Sequence, residues 1–263
     1  MSYANHTFDA DTRFDPDFPW LEAGDFFSFP DPEETQGSVV AVGGNLSPGM
    51  ILSAYTQGIF PWFNEDDPLY WQSPDPRFVI FPHVFRLPER LSRQIKTSTL
   101  RLTVDTAFNR VISFCSGVQR RGQDGTWITE DMIEAYQALH SAGFAHSIEA
   151  WQGNDLVGGF YGVHLGRMFF GESMFTRLPN AAKIAFVAFA RYFFTTMKGT
   201  CIDSQVYTDH IARFGGMNIS RSAYLKTLSD ALGSGFPDAL MEGRGLWPSG
   251  MLSGYQASGG LNL

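Results

Sequence analysis

The strongest constraint on the fold is a set of three apolar, strand-like segments in a row, at 145–151, 156–165 and 167–175. Gly153-Asn154-Asp155 and Gly166 divide them, and short turns of this kind are typical of successive antiparallel strands. The segment from Asn180 to about Phe194 then has almost no polar side chain, which predicts a buried helix with Asn180 as its N-cap. The pattern favours an α+β domain.

Composition excludes several classes of protein. The chain has 263 residues, of which 44% are hydrophobic and 15% aromatic, enough for a substantial core. Cys115 and Cys201 are its two cysteines, and they lack the spacing of a metal-binding pair. The start of the chain does not resemble a signal peptide, and no stretch of about 18 apolar residues follows. We therefore expect a cytoplasmic protein without a membrane span or a bound metal.

Changes in pattern along the chain predict three parts. Residues 1–37 form an acidic arm without helical or strand periodicity, 38–76 a small N-terminal α/β domain, and 77–263 a larger domain. In the small domain, Ser47-Pro48 is a typical helix start. In the larger domain we also predict a strand at 201–206 and short helices near 209–214 and 220–232.

Charge is divided unevenly between these parts. The net charge is −8, yet residues 1–40 alone contain nine acidic residues and a single arginine. Residues 77–121 contain nine basic residues and only Glu89 and Asp105 as acids. This distribution leaves open either a local basic surface or an ordinary solvated face.

Two carboxylates occupy unusual places in the predicted strands. Alternation puts Glu172 on the same face as Phe170 and Met174, where an ionised group needs a partner or a ligand. Lys183 or Arg177 is a possible structural partner. Alternation also aims Asp203 and Gln205 to one side of the strand at 201–206, as a hydrogen-bond relay or as a satisfied polar edge. The motifs of Ser or Cys hydrolases, zinc peptidases and nucleotide-binding loops are absent from the sequence.

A series of short motifs carries a family resemblance. In order, they are GGNLSP at 43–48, GIFPWF at 58–63, WQSPDPR at 71–77, GTWIT at 125–129, AHSIE at 145–149, FGESMF at 170–175 and DSQV at 203–206. With this spacing, from about 42 to about 225, the chain resembles the bacterial leucyl/phenylalanyl-tRNA-protein transferases. The clearest departure is Gln72, where the family usually has a second tryptophan.

The resemblance implies a fold and a reaction. The larger domain is expected to have the fold of the GNAT-type N-acetyltransferases, with a mostly antiparallel sheet. The reaction moves leucine, phenylalanine and, less readily, methionine from aminoacyl-tRNA to the α-amino group of proteins that begin with Arg or Lys, which marks them for degradation. No cofactor is implied, and we expect a monomer that binds neither DNA nor a membrane.

The resemblance also implies site residues. The aminoacyl pocket corresponds to six apolar side chains, namely Phe160, Phe169, Met174, Phe186, Phe189 and Ile202. Phe169 and Met174 lie on opposite faces of a regular strand, so both can line one pocket only if a bulge or twist occurs near Gly171. Trp62 and Trp127 correspond to aromatic positions near the 3′-terminal adenosine. Arg90, Arg93 and Lys96 correspond to the tRNA-binding patch.

Three residues are expected to carry the chemistry. By analogy with the family, Asp203 collects the proton of the attacking amine, Gln205 orients the reacting groups, and Glu172 holds the amino group of the aminoacyl moiety. Two alternatives remain at this point: a coenzyme-A-dependent N-acyltransferase, and a non-catalytic binder of basic protein N-termini. The sequence disfavours the first, because its nearest pyrophosphate-loop candidate, 119–124, ends in an aspartate.

Overall fold

The computed structural model describes Asp15, residues 18–117 and 128–233, and the backbone of residues 255–256. Within these ranges the chain forms a three-stranded sheet followed by an eight-stranded sheet with helices on both faces. The α+β class and the mostly antiparallel larger sheet are confirmed.

The small sheet has the strand order β1-β3-β2 and packs against one helix. Its elements are β1 (Val39–Val42), α1 (Pro48–Thr56), β2 (Phe60–Pro61) and β3 (Tyr70–Gln72). Proline at the first position of α1 loses no hydrogen bond there, as predicted, although Ser47 does not cap the helix with its side chain. The described part of the preceding arm, residues 18–37, packs on this unit through aromatic rings, with the ring centroids of Phe29 and Trp71 5.1 Å apart. It includes a short 3-10 helix, Pro32–Glu34.

The larger sheet has the strand order β10-β4-β9-β8-β7-β6-β5-β11. Its strands are β4 (Arg77–Ile80), β5 (Arg101–Val104), β6 (Ala145–Gln152), β7 (Asp155–Leu165), β8 (Met168–Thr176), β9 (Cys201–Asp203), β10 (Met217–Ile219) and β11 (Tyr255–Gln256). All of the pairs are antiparallel except β8 with β9. The predicted meander corresponds to β6, β7 and β8.

Helices cover both faces of this sheet. They are α2 (Glu89–Thr97), α3 (Phe108–Ser116), α4 (Glu130–Ser141), α5 (Ala181–Thr195), α6 (Asp209–Ala212) and α7 (Arg221–Leu232). The buried residues form two clusters: α2 and α5 contribute to one, and α1, α3, α4 and α7 contribute to the other. Phe169 belongs to the first cluster and Phe170 to the second, as strand alternation requires.

A β-bulge interrupts β8 beside the predicted catalytic residues. Tyr161 of β7 pairs with Ser173, but the next residue, Gly162, pairs with Gly171, so Glu172 is the extra residue. Beyond the bulge, Met174 packs with the α5 cluster, on the same face as Phe169. The predicted bulge is therefore confirmed, and the placement of Met174 on the face of Phe170 was wrong because alternation does not continue through a bulge.

Two local predictions need correction. The strand predicted at 201–206 ends at Asp203, because Gln205 has a left-handed backbone with φ of 63°. Asn180 precedes α5 as predicted but is itself left-handed, and its side chain does not cap the helix; it bonds Gln94 instead. In the part of the chain that the structure describes, no helix has the length and apolar character needed to span a bilayer.

Candidate active site

A cavity of about 820 Å³ opens beside the second half of β8, where its parallel partner β9 has ended. Its walls come from β2, β7, β8, the first turns of α5, and the segment from Ile202 through α6. The small domain therefore contributes to the same cavity as the larger domain. Most of the predicted site residues within the described ranges lie here, brought together from segments more than 100 residues apart.

The apolar part of the cavity contains the predicted aminoacyl pocket. Five of the six residues line it directly: Phe160, Phe169, Met174, Phe186 and Ile202. Phe189 lies behind them, fully buried, with its ring 4.4 Å from that of Phe169. Gly162 leaves room for Phe169, because a Cβ at this glycine would lie 2.6 Å from the Phe169 ring. The result is an aromatic wall with one flexible methionine.

Trp62 lines the same cavity from the small domain. Its backbone carbonyl accepts a hydrogen bond of 2.9 Å from Nε2 of Gln72, whose Oε1 accepts one from Ser38. Gln72, the departure from the family pattern, thus supports the strand that carries Trp62. Trp127, together with the segment 119–124, lies outside the described residues.

Glu172 lies at the polar end of the cavity. Its Oε1 accepts hydrogen bonds from the Tyr55 hydroxyl at 2.6 Å and from Nε2 of Gln205 at 2.8 Å, and its Oε2 accepts one from Tyr136 at 3.2 Å. The structural partners are therefore two tyrosines of α1 and α4 and one amide, and not Lys183 or Arg177. Alternation from Phe170 places Glu172 on the face of these helices, as predicted, and the bulge then turns Met174 to the other face.

Burial governs the ionisation of this group. It raises the pKa of Glu172 from 4.5 to about 7, and the two tyrosine hydrogen bonds only partly offset that effect. The pKa values of Tyr55 and Tyr136 are also raised, first by burial and then by Glu172. Both phenols therefore remain hydrogen-bond donors at neutral pH. Glu172 is a carboxylate that gains or loses a proton close to pH 7.

Gln205 faces the cavity, whereas Asp203 does not line it. Asp203 is fully buried, and its Oδ1 accepts a hydrogen bond of 2.8 Å from the backbone N–H of Gln205. The two side chains are neighbours because the chain turns after β9, and not through strand alternation. Asp203 thus fixes the backbone that presents the Gln205 amide.

Arg77 holds Asp203 in place. Its Nη2 lies 2.7 Å from Oδ2 of Asp203, its Nε also donates to this carboxylate, and Tyr224 donates at 2.7 Å. Nη1 of Arg77 donates to the carbonyl of Gly58 in the small domain, and its guanidinium lies 4.6 Å from the Phe60 ring centroid. This buried group links the small domain to the strand that carries Asp203.

Several of these residues were not predicted from the sequence. Tyr55, Tyr136, Arg77 and Tyr224 occur within or near the family motifs, but a tyrosine on an apolar helix face gives no sign that its hydroxyl meets a carboxylate. The sequence indicated only that such partners must exist, because Glu172 and Asp203 are ionisable residues in apolar segments and a buried carboxylate needs hydrogen-bond or ionic partners.

The predicted tRNA-binding residues share one face of α2. Arg90, Arg93 and Lys96 are exposed, while Leu91 and Ile95 on the opposite face are buried. Gln94 joins this helix to the cavity, because its Oε1 accepts a hydrogen bond of 2.9 Å from Asn180, which lines the cavity. Among the described residues, no group of three or more His, Cys, Asp or Glu side chains is placed to hold a metal ion.

Comparison with known proteins agrees with this arrangement. Residues 79–229 match the family model described as leucyl/phenylalanyl-tRNA protein transferase, and residues 44–75 match the model of its N-terminal domain. Three bacterial proteins with the name leucyl/phenylalanyl-tRNA–protein transferase are similar to the chain. The protein of Myxococcus xanthus is 52% identical over 205 residues, which cover 78% of this chain and 87% of the relative.

The other two matches have similar extents. The Anaeromyxobacter sp. (strain Fw109-5) protein is 50% identical over 206 residues, covering 78% of this chain and 87% of its own length. The Lawsonia intracellularis protein is 47% identical over 210 residues, which cover 79% of this chain and 92% of the relative. The chain belongs to the leucyl/phenylalanyl-tRNA-protein transferase family.

Proposed function

We propose that the protein transfers leucine or phenylalanine from aminoacyl-tRNA to the N-terminal α-amino group of proteins that begin with Arg or Lys. The observation that carries this proposal is the cavity itself, in which an aromatic pocket and a buried carboxylate–amide pair lie side by side. An apolar amino-acid side chain fits the first and its amino group fits the second.

The pocket accounts for the proposed donors. Leu, Phe and Met are unbranched at Cβ and have similar apolar bulk, and Met174 gives the wall some freedom to adapt to each. A β-branched Val or Ile places a methyl group beside the backbone, where the aromatic wall and the Glu172 end meet. Because one methylene group in such a pocket changes binding by only about 1–3 kcal/mol, we expect graded preference among donors and no absolute choice.

The reaction needs no covalent intermediate, because an aminoacyl ester is already activated. The acceptor nitrogen attacks the ester carbonyl carbon, the bond from that carbon to the ribose oxygen breaks, and the amine proton passes to that oxygen, which leaves as a hydroxyl group. The protein must hold both substrates together and orient the amine for attack and for release of its proton. Gln205 and Glu172 are the polar groups placed for this at the end of the pocket.

Hydrogen-bond chemistry assigns their roles. An ionised carboxylate can only accept hydrogen bonds, so Gln205 must direct its NH2 group to Glu172, which leaves the Gln205 Oε1 to accept from the attacking amine. Glu172 accepts from the amino group of the aminoacyl moiety. Asp203, predicted to collect the proton together with Gln205, does not line the cavity and is paired with Arg77. We therefore propose that Asp203 acts by positioning Gln205.

Transfer of radiolabelled leucine tests the function. We expect the protein to move leucine from leucyl-tRNA to a peptide beginning with Arg, and to leave the same peptide beginning with Gly unmodified. Gln205→Ala should lower kcat/KM by about 10- to 100-fold, because it removes an oriented acceptor of the attacking amine. Binding of the Arg peptide without transfer from leucyl-, phenylalanyl- or methionyl-tRNA would contradict the proposal and favour a non-catalytic binder.

Salt dependence tests the proposed tRNA surface on α2. Replacement of Arg90, Arg93 and Lys96 together with alanine should weaken tRNA binding and make its dependence on salt shallower, by about 0.7–0.9 in log–log slope for each lost phosphate contact. Affinity should be measured for several tRNA sequences, because phosphate contacts read no sequence. An unchanged slope would place the tRNA surface elsewhere.

A further inference from the structure

Lys183 is a cation in the cavity wall for which the described residues supply no counter-ion. It lies in the first turn of α5, is half-buried, and lines the cavity one helical turn before Phe186. Among the residues that the structure describes, no carboxylate forms an ion pair with its ammonium group. A half-buried cation without a protein partner is available to an anionic ligand.

His210 adds a second unpaired group on the same side. Its Nε2 has no hydrogen-bond partner among the described residues, and its ring lies 5.7 Å from Phe214, which in turn contacts Phe186. Burial, followed by the charges of Lys183 and Arg213, lowers the pKa of His210 to about 4. At neutral pH the imidazole is uncharged, so it neither neutralises nor replaces the charge of Lys183.

The surroundings of Lys183 connect it to the basic face of α2. Asn180, three residues before Lys183, bonds Gln94, whose helix exposes Arg90, Arg93 and Lys96. The hydrogen bond between Asn180 and Gln94 therefore joins the start of α5, which carries Lys183, to the helix with the basic face. The acidic group nearest in sequence to His210 is Asp209, which is exposed and accepts a hydrogen bond from the Tyr207 hydroxyl.

We propose that Lys183 binds a backbone phosphate of the single-stranded 3′ end of the aminoacyl-tRNA. This inference rests on the proposed function and adds a binding residue to it. The positive charge around Lys183 favours the tRNA over the acceptor protein as its ligand. Lys183 and Arg213 repel an acceptor that begins with Arg or Lys, whereas they attract RNA, which carries a negative charge at every nucleotide. The contact lets the phosphate chain continue from α2 into the cavity.

The test compares two donors that differ in phosphate. Lys183→Met removes the charge and keeps the length of the side chain, and Lys183→Arg keeps the charge. For Lys183→Met we expect the KM for phenylalanyl-tRNA to rise about tenfold, since a hydrogen bond between charged groups is lost. The KM for phenylalanyl-adenosine, which has no phosphate, should not change. Lys183→Arg should behave like the wild type.

Direct binding of phenylalanyl-tRNA, followed by fluorescence anisotropy at several salt concentrations, gives a readout that does not need transfer. Lys183→Met should reduce the log–log slope by about 0.7, the value for one phosphate contact on a single strand. An unchanged slope, equal weakening of both donors, or a higher KM for the acceptor peptide alone would each overturn the proposal. Failure of the wild type to transfer leucine would instead contradict the proposed function.

Discussion

Replacing Arg77 with methionine is expected to lower the free energy of unfolding by about 3–5 kcal/mol, because it leaves the Asp203 carboxylate buried without its counter-ion. Both side chains have no exposed surface, and Asp203 would retain only the Tyr224 hydroxyl and the Gln205 N–H as donors. The change also removes the bond from Arg77 to the Gly58 carbonyl. Urea unfolding followed by tryptophan fluorescence measures the effect.

Lys226→Met is the matched control for this experiment. Lys226 forms an ion pair of 2.9 Å with Asp230, but 77% and 62% of these side chains are exposed. Exposed pairs contribute about 0–1 kcal/mol, so the control should unfold at nearly the wild-type urea concentration. If Arg77→Met were no less stable than Lys226→Met, the buried pair would not be the link between the small domain and the Asp203 strand.

The order of the elements could be predicted because their signals are local. The turns around Gly153 and Gly166 and the apolar run before Phe194 each depend on a few neighbouring residues, and the structure has β6, β7, β8 and α5 there. Thr129 likewise caps α4 through its hydroxyl, as its sequence position indicates. Strands β2, β3 and β10 were not predicted, because they have only two or three residues each and depend on partners distant in sequence.

The sequence indicates which residues form the candidate site but not how their side chains are arranged. Family motifs identify Glu172, Asp203 and Gln205, and a pocket shared by Phe169 and Met174 requires a bulge or twist near Gly171. Alternation along a strand cannot show, however, that Glu172 is the extra residue of that bulge or that the chain turns at Gln205. Both features reverse the side on which the next residues lie. The partners of the two carboxylates depend on long-range packing, since Tyr55 is 117 residues from Glu172 and Arg77 is 126 residues from Asp203.

These two features also explain how a non-polar pocket and a polar site occupy one cavity. The bulge places Met174 with Phe169 on the α5 face, and leaves Glu172 with the tyrosines on the other face. The left-handed Gln205 then directs its amide across the end of the sheet to Glu172. A non-glycine residue is strained in this conformation, and the hydrogen bond from its N–H to Asp203 compensates for the strain.

Glu172→Gln is expected to have the largest effect on transfer. The substitution keeps the shape of the side chain but removes the charge that we propose receives the donor amino group. It also replaces one of the two acceptor oxygens, which bond Tyr55, Gln205 and Tyr136, with an NH2 donor. Hydrogen bonds to charged groups contribute about 1.5–3 kcal/mol, so we expect kcat/KM for leucyl-tRNA to fall about 10- to 150-fold. Steady-state transfer to an Arg peptide at pH 7.5 measures this.

Glu149→Gln is the control. Glu149 is also buried, and burial raises the pKa of its carboxyl group, but this residue lies in β6. Its carboxylate accepts hydrogen bonds from the hydroxyls of Ser147, Thr103 and Thr106 and from the backbone N–H of Ala107, just before α3. Its replacement should leave kcat/KM within about threefold of the wild type, because no described cavity-lining residue contacts it. Equal losses of transfer in the two variants would mean that any buried charge supports the reaction through folding alone, and would contradict the role of Glu172.

The Glu172→Gln substitution is also expected to change how the stability of the protein depends on pH. Because the pKa of Glu172 is raised from 4.5 to about 7 in the folded protein, the folded state retains a proton between these values that the unfolded state has released. The protonated Glu172 therefore contributes to the free energy of unfolding fully below pH 4.5. This contribution falls as the pH rises from 4.5 to about 7, and the free energy of unfolding then no longer changes through this group. Glu172→Gln has no such group, so its urea midpoint should decline less between pH 5 and pH 8 than that of the wild type. An identical decline in both proteins would mean that Glu172 is already ionised near pH 5, and would leave the carboxylate permanently charged at the end of the pocket.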